Sequence, residues 1–197
     1  MGKGSVTRAR ILDEAIRIAS REGLEGLSIG TLATALEMSK SGLFAHFGSK
    51  EALQAAVLQE LGQRFAARVL ASVEEAAPGV GRLDALFEAW LAWSRDPALP
   101  GGCPVLAACF ELDDREGEPR EVLVRMQEAL RQRVMALVAG VFPAVQAEQA
   151  AFDFKGIQLA FHHAHRVLRN PEAVTWARNA YRRWLRNLQQ EQGASPA

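Results

Sequence analysis

The sequence predicts an all-α fold: each long segment repeats apolar residues at helical spacing, and no stretch alternates apolar and polar residues for long enough to make a sheet. A third observation points the same way, because Ser28, Ser39 and Ser49 each stand just ahead of an apolar-periodic run, where N-caps belong. The first helix is expected over roughly Ser5 to Arg21. Ile11, Leu12, Ala15, Ile18 and Ala19 form its apolar stripe, Lys3, Arg8, Arg10, Arg17 and Arg21 populate the other faces, and Gly23 is placed to end it. Ser28 caps a second helix carrying Ile29, Leu32, Ala33 and Leu36 inward, and Ser39 caps a third carrying Leu43 and Phe47. Only a few residues, Glu37 and Met38 among them, join the two. Ser49 then caps a long fourth helix, with Glu51 in its first turn and Leu53, Val57, Leu58, Leu61, Phe65 and Val69 along its stripe, ending before Pro78-Gly79.

In the remainder, Leu83, Leu86, Phe87, Trp90 and Trp93 mark a helix that stops at Asp96-Pro97. The loop Pro100-Gly101-Gly102-Cys103-Pro104 leads into another helix from Pro104 to about Leu112, and the acidic stretch Glu111 to Glu121 reads as a solvated connection. A long helix follows to about Val141 and breaks at Phe142-Pro143. The last two run from about Ala147 to Leu168 and from Pro171 to about Gln190, with proline at the first helical position of the second.

With 197 residues, 49% of them hydrophobic, the chain has ample material for a core. Its 23 basic and 23 acidic residues cancel, so contact with nucleic acid must come from a local basic patch rather than the field of the whole molecule. Two cysteines, Cys103 and Cys109, are too few for a disulfide framework and favour a reducing compartment. The segment MGKGSVTRARIL has no apolar centre that would serve as a signal peptide, and Val6 stands where a myristoylation pattern needs Ser or Thr. The longest apolar run, Val134 to Phe142, falls well short of the roughly 20 residues of a membrane span. A cytoplasmic protein is the expectation.

Ser28 to Leu53 reads as two short helices joined by a tight turn and followed by the capped start of a third. That arrangement seats a helix in the DNA major groove and points to a regulator rather than a catalyst; the bland alternative is a helical hairpin that merely packs. Across the residues LATALEMSKSGLFAHFGSKEAL the chain resembles the N-terminal domain of the TetR family of transcriptional repressors, with the likeness extending over roughly residues 8 to 60. The resemblance implies a DNA-binding domain at 1–47 and a helical ligand-binding and dimerisation domain at 48–197. It further implies a homodimer with one head per half-site of a palindromic operator, and a repressor released by a small effector. On the family's pattern, Ser39, Lys40, Ser41, Gly42, Phe44, Ala45 and His46 lie on the recognition helix. Phosphate clamping falls to Ser28 or Thr31, to His46, and to Lys50 with the free amides at the start of the fourth helix. Glu37 replaces the turn's usual glycine, Gly42 a residue that usually carries a hydroxyl, and Phe44 the usual tyrosine.

Beyond the head, Phe87, Trp90, Trp93, Phe110, Met126, Met135, Phe142, Phe154 and Phe161 are more large side chains than a plain bundle requires. Singly each suits a packed core; together they suit an apolar cavity with polar handles from Gln127, Gln158 or His162, and hence an apolar or aromatic effector. Cys103, at the start of a helix, is either a thiol sensor on the same scaffold or a small residue filling a tight loop. A bridge to Cys109 is not expected, since six helical residues rise about 9 Å, beyond the roughly 7 Å Cα limit. His162 and His165 share a helix face, but no carboxylate or thiolate accompanies them at ligand spacing, so neither metal nor cofactor is expected. Phe154, Ile157, Phe161, Ala164 and Leu168, and then Val174, Ala177, Tyr181, Trp184 and Leu188, form two terminal stripes. They suit either a self-complementary dimer face or packing within the chain. The sequence carries no HExxH, no nucleotide-binding glycine motif and no nucleophile–base–orienter set, which leaves a small helical enzyme as a remote alternative.

Overall fold

The computed structural model describes residues 3–143 and 145–194, and among them every regular element is helical. The N-terminal residues 1–2 and the side chain of Lys3 lie outside the described residues. Ten α-helices follow one another: α1 (Lys3–Glu22), α2 (Ile29–Leu36), α3 (Lys40–Phe47), α4 (Lys50–Phe65), α5 (Ala71–Glu75), α6 (Val80–Trp93), α7 (Pro104–Glu111), α8 (Glu118–Ala139), α9 (Ala147–His162) and α10 (Ala173–Ala194). The single helix expected from Ser49 towards Pro78 is interrupted by a π-helical turn at Ala66–Leu70, and the one expected to end at Leu168 has another at His163–Val167. The first has a cause in the sequence. Leu61, Phe65, Val69 and Val73 are spaced by four, which runs about 40° past a 3.6-residue turn at each step; a wider turn returns Val69 and Val73 to the buried face.

The chain forms two compact units, Met1–Ala66 with Ser94–Met126, and Ala67–Trp93 with Gln127–Ala197. They differ from the expected division at residue 47, and packing explains why. In the first unit α1 packs on α2, α4 and α7, so Ile11, Ala15, Leu24, Leu32, Leu43, Leu53 and Leu61 bury together. A head cut after α3 would expose the face of α4 that completes this core. The loop before α7 is held by backbone: the Ser20 hydroxyl donates to the Gly102 carbonyl (2.8 Å) and accepts from the Gly101 N–H (2.8 Å). A Cβ at Gly101 would stand 1.5 Å from the Ser20 carbonyl oxygen, so only glycine permits this approach. In the second unit α5 packs on α6 and α9 on α10.

Glu37 ends α2 in the left-handed region, with φ 55°, at the position where the family pattern has glycine. Its side chain is exposed and gives nothing back for a conformation that disfavours a Cβ. Glu37→Gly should therefore raise folding stability by about 0.5–1 kcal/mol in denaturant titrations, net of glycine's entropy in the unfolded chain. Gly101→Ala should lower it by roughly 1–3 kcal/mol, because backbone rather than a flexible side chain must give way.

Candidate DNA-binding site

Three serine caps build the site. Ser28 and Thr31 form a reciprocal capping box, the Thr31 N–H donating to Ser28 Oγ (3.1 Å) and the Ser28 N–H to Thr31 Oγ1 (3.0 Å). Ser39 Oγ accepts from the Gly42 N–H at 3.1 Å, and Ser49 Oγ from the Ala52 N–H at 3.0 Å. Each cap fixes where a helix begins, and Leu43, fully buried, fixes how α3 is rotated. With Leu43 inward, Lys40, Ser41, Phe44 and Ala45 are exposed together, one face at helical spacing. Gly42 and His46 flank it, half-buried. A Cβ at Gly42 would meet Ser39 Oγ at 3.0 Å, so the glycine is pressed against the capping hydroxyl. The guanidinium of Arg8 lies 4.7 Å from the centre of the Phe47 ring and ties the start of α1 to the end of α3.

The expected phosphate contacts are partly engaged within the chain. Ser28 and Thr31 direct their hydroxyls to each other and to the capped backbone, Thr31 Oγ1 donating to the Ser28 carbonyl at 3.0 Å. Lys50 Nζ donates to the carbonyl of Glu25 (3.0 Å) and to its Oε1 (3.1 Å). The hydrogen bond from Lys50, and then the charges of Lys50 and Arg115, hold the Glu25 carboxyl below the usual carboxylate range. Sequence reasoning missed Glu25, Glu111 and Arg115 around this turn, since their partners are remote along the chain and leave no local pattern.

The ten side chains expected to contact a ligand, Phe87, Trp90, Trp93, Cys103, Phe110, Met126, Phe154, Gln158, Phe161 and His162, do not gather in one unit. Cys103, Phe110 and Met126 belong to the first, where Phe110 is 63% exposed and Met126 lies against Gly62 of α4. The other seven belong to the second. There the rings run in a chain: His165 stacks on Phe161 (5.0 Å between centroids), Phe161 meets Trp90 edge-on (5.5 Å), Trp90 lies beside Phe87 (5.9 Å), and Phe87 stacks on Tyr181 (4.2 Å). Tyr181 leads on to Trp184 (5.6 Å) and Trp184 to Phe154 (5.5 Å). Gln158 is buried in this region. Cys103 and Cys109 are not joined in a disulfide, and among the described residues no group of three or more His, Cys, Asp or Glu is placed to hold a metal ion.

Four of the residues on the two terminal stripes pack within the chain. Phe154, Phe161, Tyr181 and Trp184 are buried within their own chain, where Tyr181 donates its hydroxyl to Asp84 (2.8 Å) and Trp184 its indole N–H to the Ala150 carbonyl (3.1 Å). Apolar periodicity marks a buried stripe without naming what buries it, and here α9 and α10 bury each other. Ile157 and Val174 are half-buried and Leu168 is exposed; the large apolar side chains left on the surface of this region are Phe152, Val167, Leu168 and Trp176.

Burial, and then the nearby Arg166, His165 and His163, pushes the His162 imidazole below its ordinary range, so the folded protein keeps it neutral where the unfolded chain would charge it. The stability this contributes is complete above about pH 6.5 and is lost as pH falls towards the folded value. Thermal melts between pH 7.5 and 5.5 should show wild type losing more stability than His162→Gln.

Two families of known proteins match the chain in succession. Residues 11–57 match the family described as "Bacterial regulatory proteins, tetR family", and residues 79–181 match "Tetracyclin repressor-like, C-terminal domain". The HTH-type transcriptional regulator BetI of Rhizobium meliloti (strain 1021) is 25% identical over 151 residues, 77% of this chain and 73% of that protein. The crystal structure of a TetR transcriptional regulator from Chloroflexus aurantiacus J-10-FL superposes with a TM-score of 0.83 at 24% identity, covering 96% of this chain and 98% of that one. AibR, solved in complex with isovaleryl coenzyme A and operator DNA, superposes with a TM-score of 0.64 at 26% identity, covering 78% and 84%. No helix among the described residues is long and apolar enough to cross a membrane. The capped helix pair with its outward-facing α3, the helical region that follows and both family matches lead to one assignment: the chain belongs to the TetR family of DNA-binding transcriptional regulators.

Proposed function

We propose that the protein is a dimeric, ligand-responsive repressor in the cytoplasm that seats α3 in the major groove of each half of a palindromic operator and is released by a small apolar or aromatic effector. The observation that carries this reading is the exposed face of Lys40, Ser41, Phe44 and Ala45 on a helix whose rotation is fixed by buried Leu43. Lys40 and Ser41 supply polar contacts, Phe44 and Ala45 apolar contact with thymine methyl groups, and His46, Lys50 and the amides at the start of α4 contact the phosphates. Phe44 has no phenolic hydroxyl, so it contributes shape rather than a phosphate hydrogen bond. A duplex selected from a randomised pool by the purified chain should be two-fold symmetric, and Lys40→Ala should weaken it by about 1–3 kcal/mol in fluorescence anisotropy. Recovery of no enriched sequence would overturn the reading.

The dimer is assigned to the exposed Phe152, Val167, Leu168 and Trp176, because large apolar side chains left bare on two adjacent helices need a partner surface. Introducing Phe152→Glu together with Trp176→Glu should convert a dimer to a monomer in sedimentation velocity and abolish binding to the symmetric duplex.

The effector is assigned to the aromatic region around Gln158. Its buried amide is a polar group among aromatic side chains, the pairing that orients a largely apolar ligand. AibR, which binds an acyl-coenzyme A and operator DNA, supports a ligand with an apolar acyl portion. Gln158→Leu should remove the thermal shift produced by whichever member of an aliphatic and aromatic acid panel stabilises wild type.

A further inference from the structure

The turn between α1 and α2 is gripped by charge from two directions. From α4, Lys50 holds the carbonyl and Oε1 of Glu25. From the connection between α7 and α8, Arg115 Nη1 holds Oε2 of the same carboxylate at 2.8 Å. The end of α7 adds a third contact, since Glu111 Oε2 accepts the Glu25 backbone N–H at 2.9 Å. Glu111 also lies over Gly23, where a Cβ would meet its Oε1 at 2.3 Å and where φ is +74°. Both carboxylate oxygens of Glu25 are thus occupied by cations from different elements, and the turn itself is fastened to α7.

Lys50 stands at the first residue of α4, beside the amides assigned above to a phosphate, and Glu25 is more than half exposed beside it. A phosphate oxygen and the Glu25 carboxylate are chemically equivalent claims on one ammonium. We propose that Glu25 competes with the DNA backbone for Lys50, and that Arg115, by neutralising Glu25, is a positioning residue that sets how readily Lys50 is released to a phosphate. With Arg115 in place, the Glu25 charge is shared between two cations, and Lys50 keeps attraction for DNA. When the connection between α7 and α8 shifts and withdraws Arg115, Glu25 turns its whole charge on Lys50 and on any approaching phosphate, and affinity falls. Glu111 makes the turn follow α7 in that movement. The inference rests on the assignment of Lys50 to the phosphate backbone.

The test is a double-mutant cycle on the full chain, read by fluorescence anisotropy across a potassium chloride series, with the duplex that wild type selects from a randomised pool. Glu25→Gln should tighten binding about two- to five-fold at low salt, the range of one exposed charge pair, and steepen the salt dependence by up to about one released counterion. Arg115→Gln should weaken binding by a similar factor in the wild-type background and have no effect in Glu25→Gln. Thermal melts of each variant establish that the fold is retained. If Glu25→Gln weakens binding, Glu25 orients Lys50 instead of competing for it, and the proposal fails. If Arg115→Gln weakens binding equally in both backgrounds, Arg115 acts on DNA directly, and the proposal fails. A wild type that selects no duplex overturns the regulator reading itself, whereas selection with Glu25→Gln unchanged overturns only the competition.

Discussion

The arrangement of the first unit depends on one hydroxyl. Ser20, buried near the end of α1, accepts from the Gly101 amide and donates to the Gly102 carbonyl, so two backbone groups of a distant loop are satisfied by one side chain. Buried backbone groups demand partners, and here the partner also fixes where α7 begins. From that point α7 runs to Glu111, whose carboxylate reaches the turn at Gly23 and Glu25, and that turn in turn holds Lys50 at the head of α4. A contact made for packing therefore reaches the edge of the DNA-binding surface through a short series of hydrogen bonds.

The features most legible in the sequence are those whose causes are local. Ser28, Ser39 and Ser49 cap because a hydroxyl ahead of an apolar-periodic run meets an N–H three residues on, and all three do so in the structure. Leu43 is buried as its spacing requires, and the departure at Glu37 marks the position that adopts the left-handed region. The face of α3 follows from these alone. What the sequence conceals are pairings between remote segments: nothing near Glu25 announces Arg115, and nothing near Ser20 announces Gly101. The π-helical turn at Ala66–Leu70 stands between these cases, since the four-residue spacing of Leu61, Phe65, Val69 and Val73 is visible but is easily absorbed into one long helix.

In the second unit the same distinction separates composition from role. Aromatic side chains are abundant in the sequence, yet periodicity does not say whether Phe154 or Tyr181 faces a ligand, another chain or its own neighbours. Within the unit they form a continuous series of ring contacts. Tyr181 and Trp184 direct their polar groups to Asp84 and Ala150, as buried rings with a donor must. The apolar side chains left at the surface, Phe152 and Trp176 foremost, are those that the buried stripes do not include.

The π-helical turn at Ala66–Leu70 also governs which changes of chain length this protein tolerates. Losing a single amino acid there would let the helix run on without interruption and still leave Val69 and Val73 within about 20° of Leu61, whereas gaining one would swing them off the side where they are buried. The exposed connection at 113–117 lies outside any helix. Relatives one residue shorter around Arg68 should accordingly carry an unbroken α-helix there, while longer ones should place the extra residues in connections.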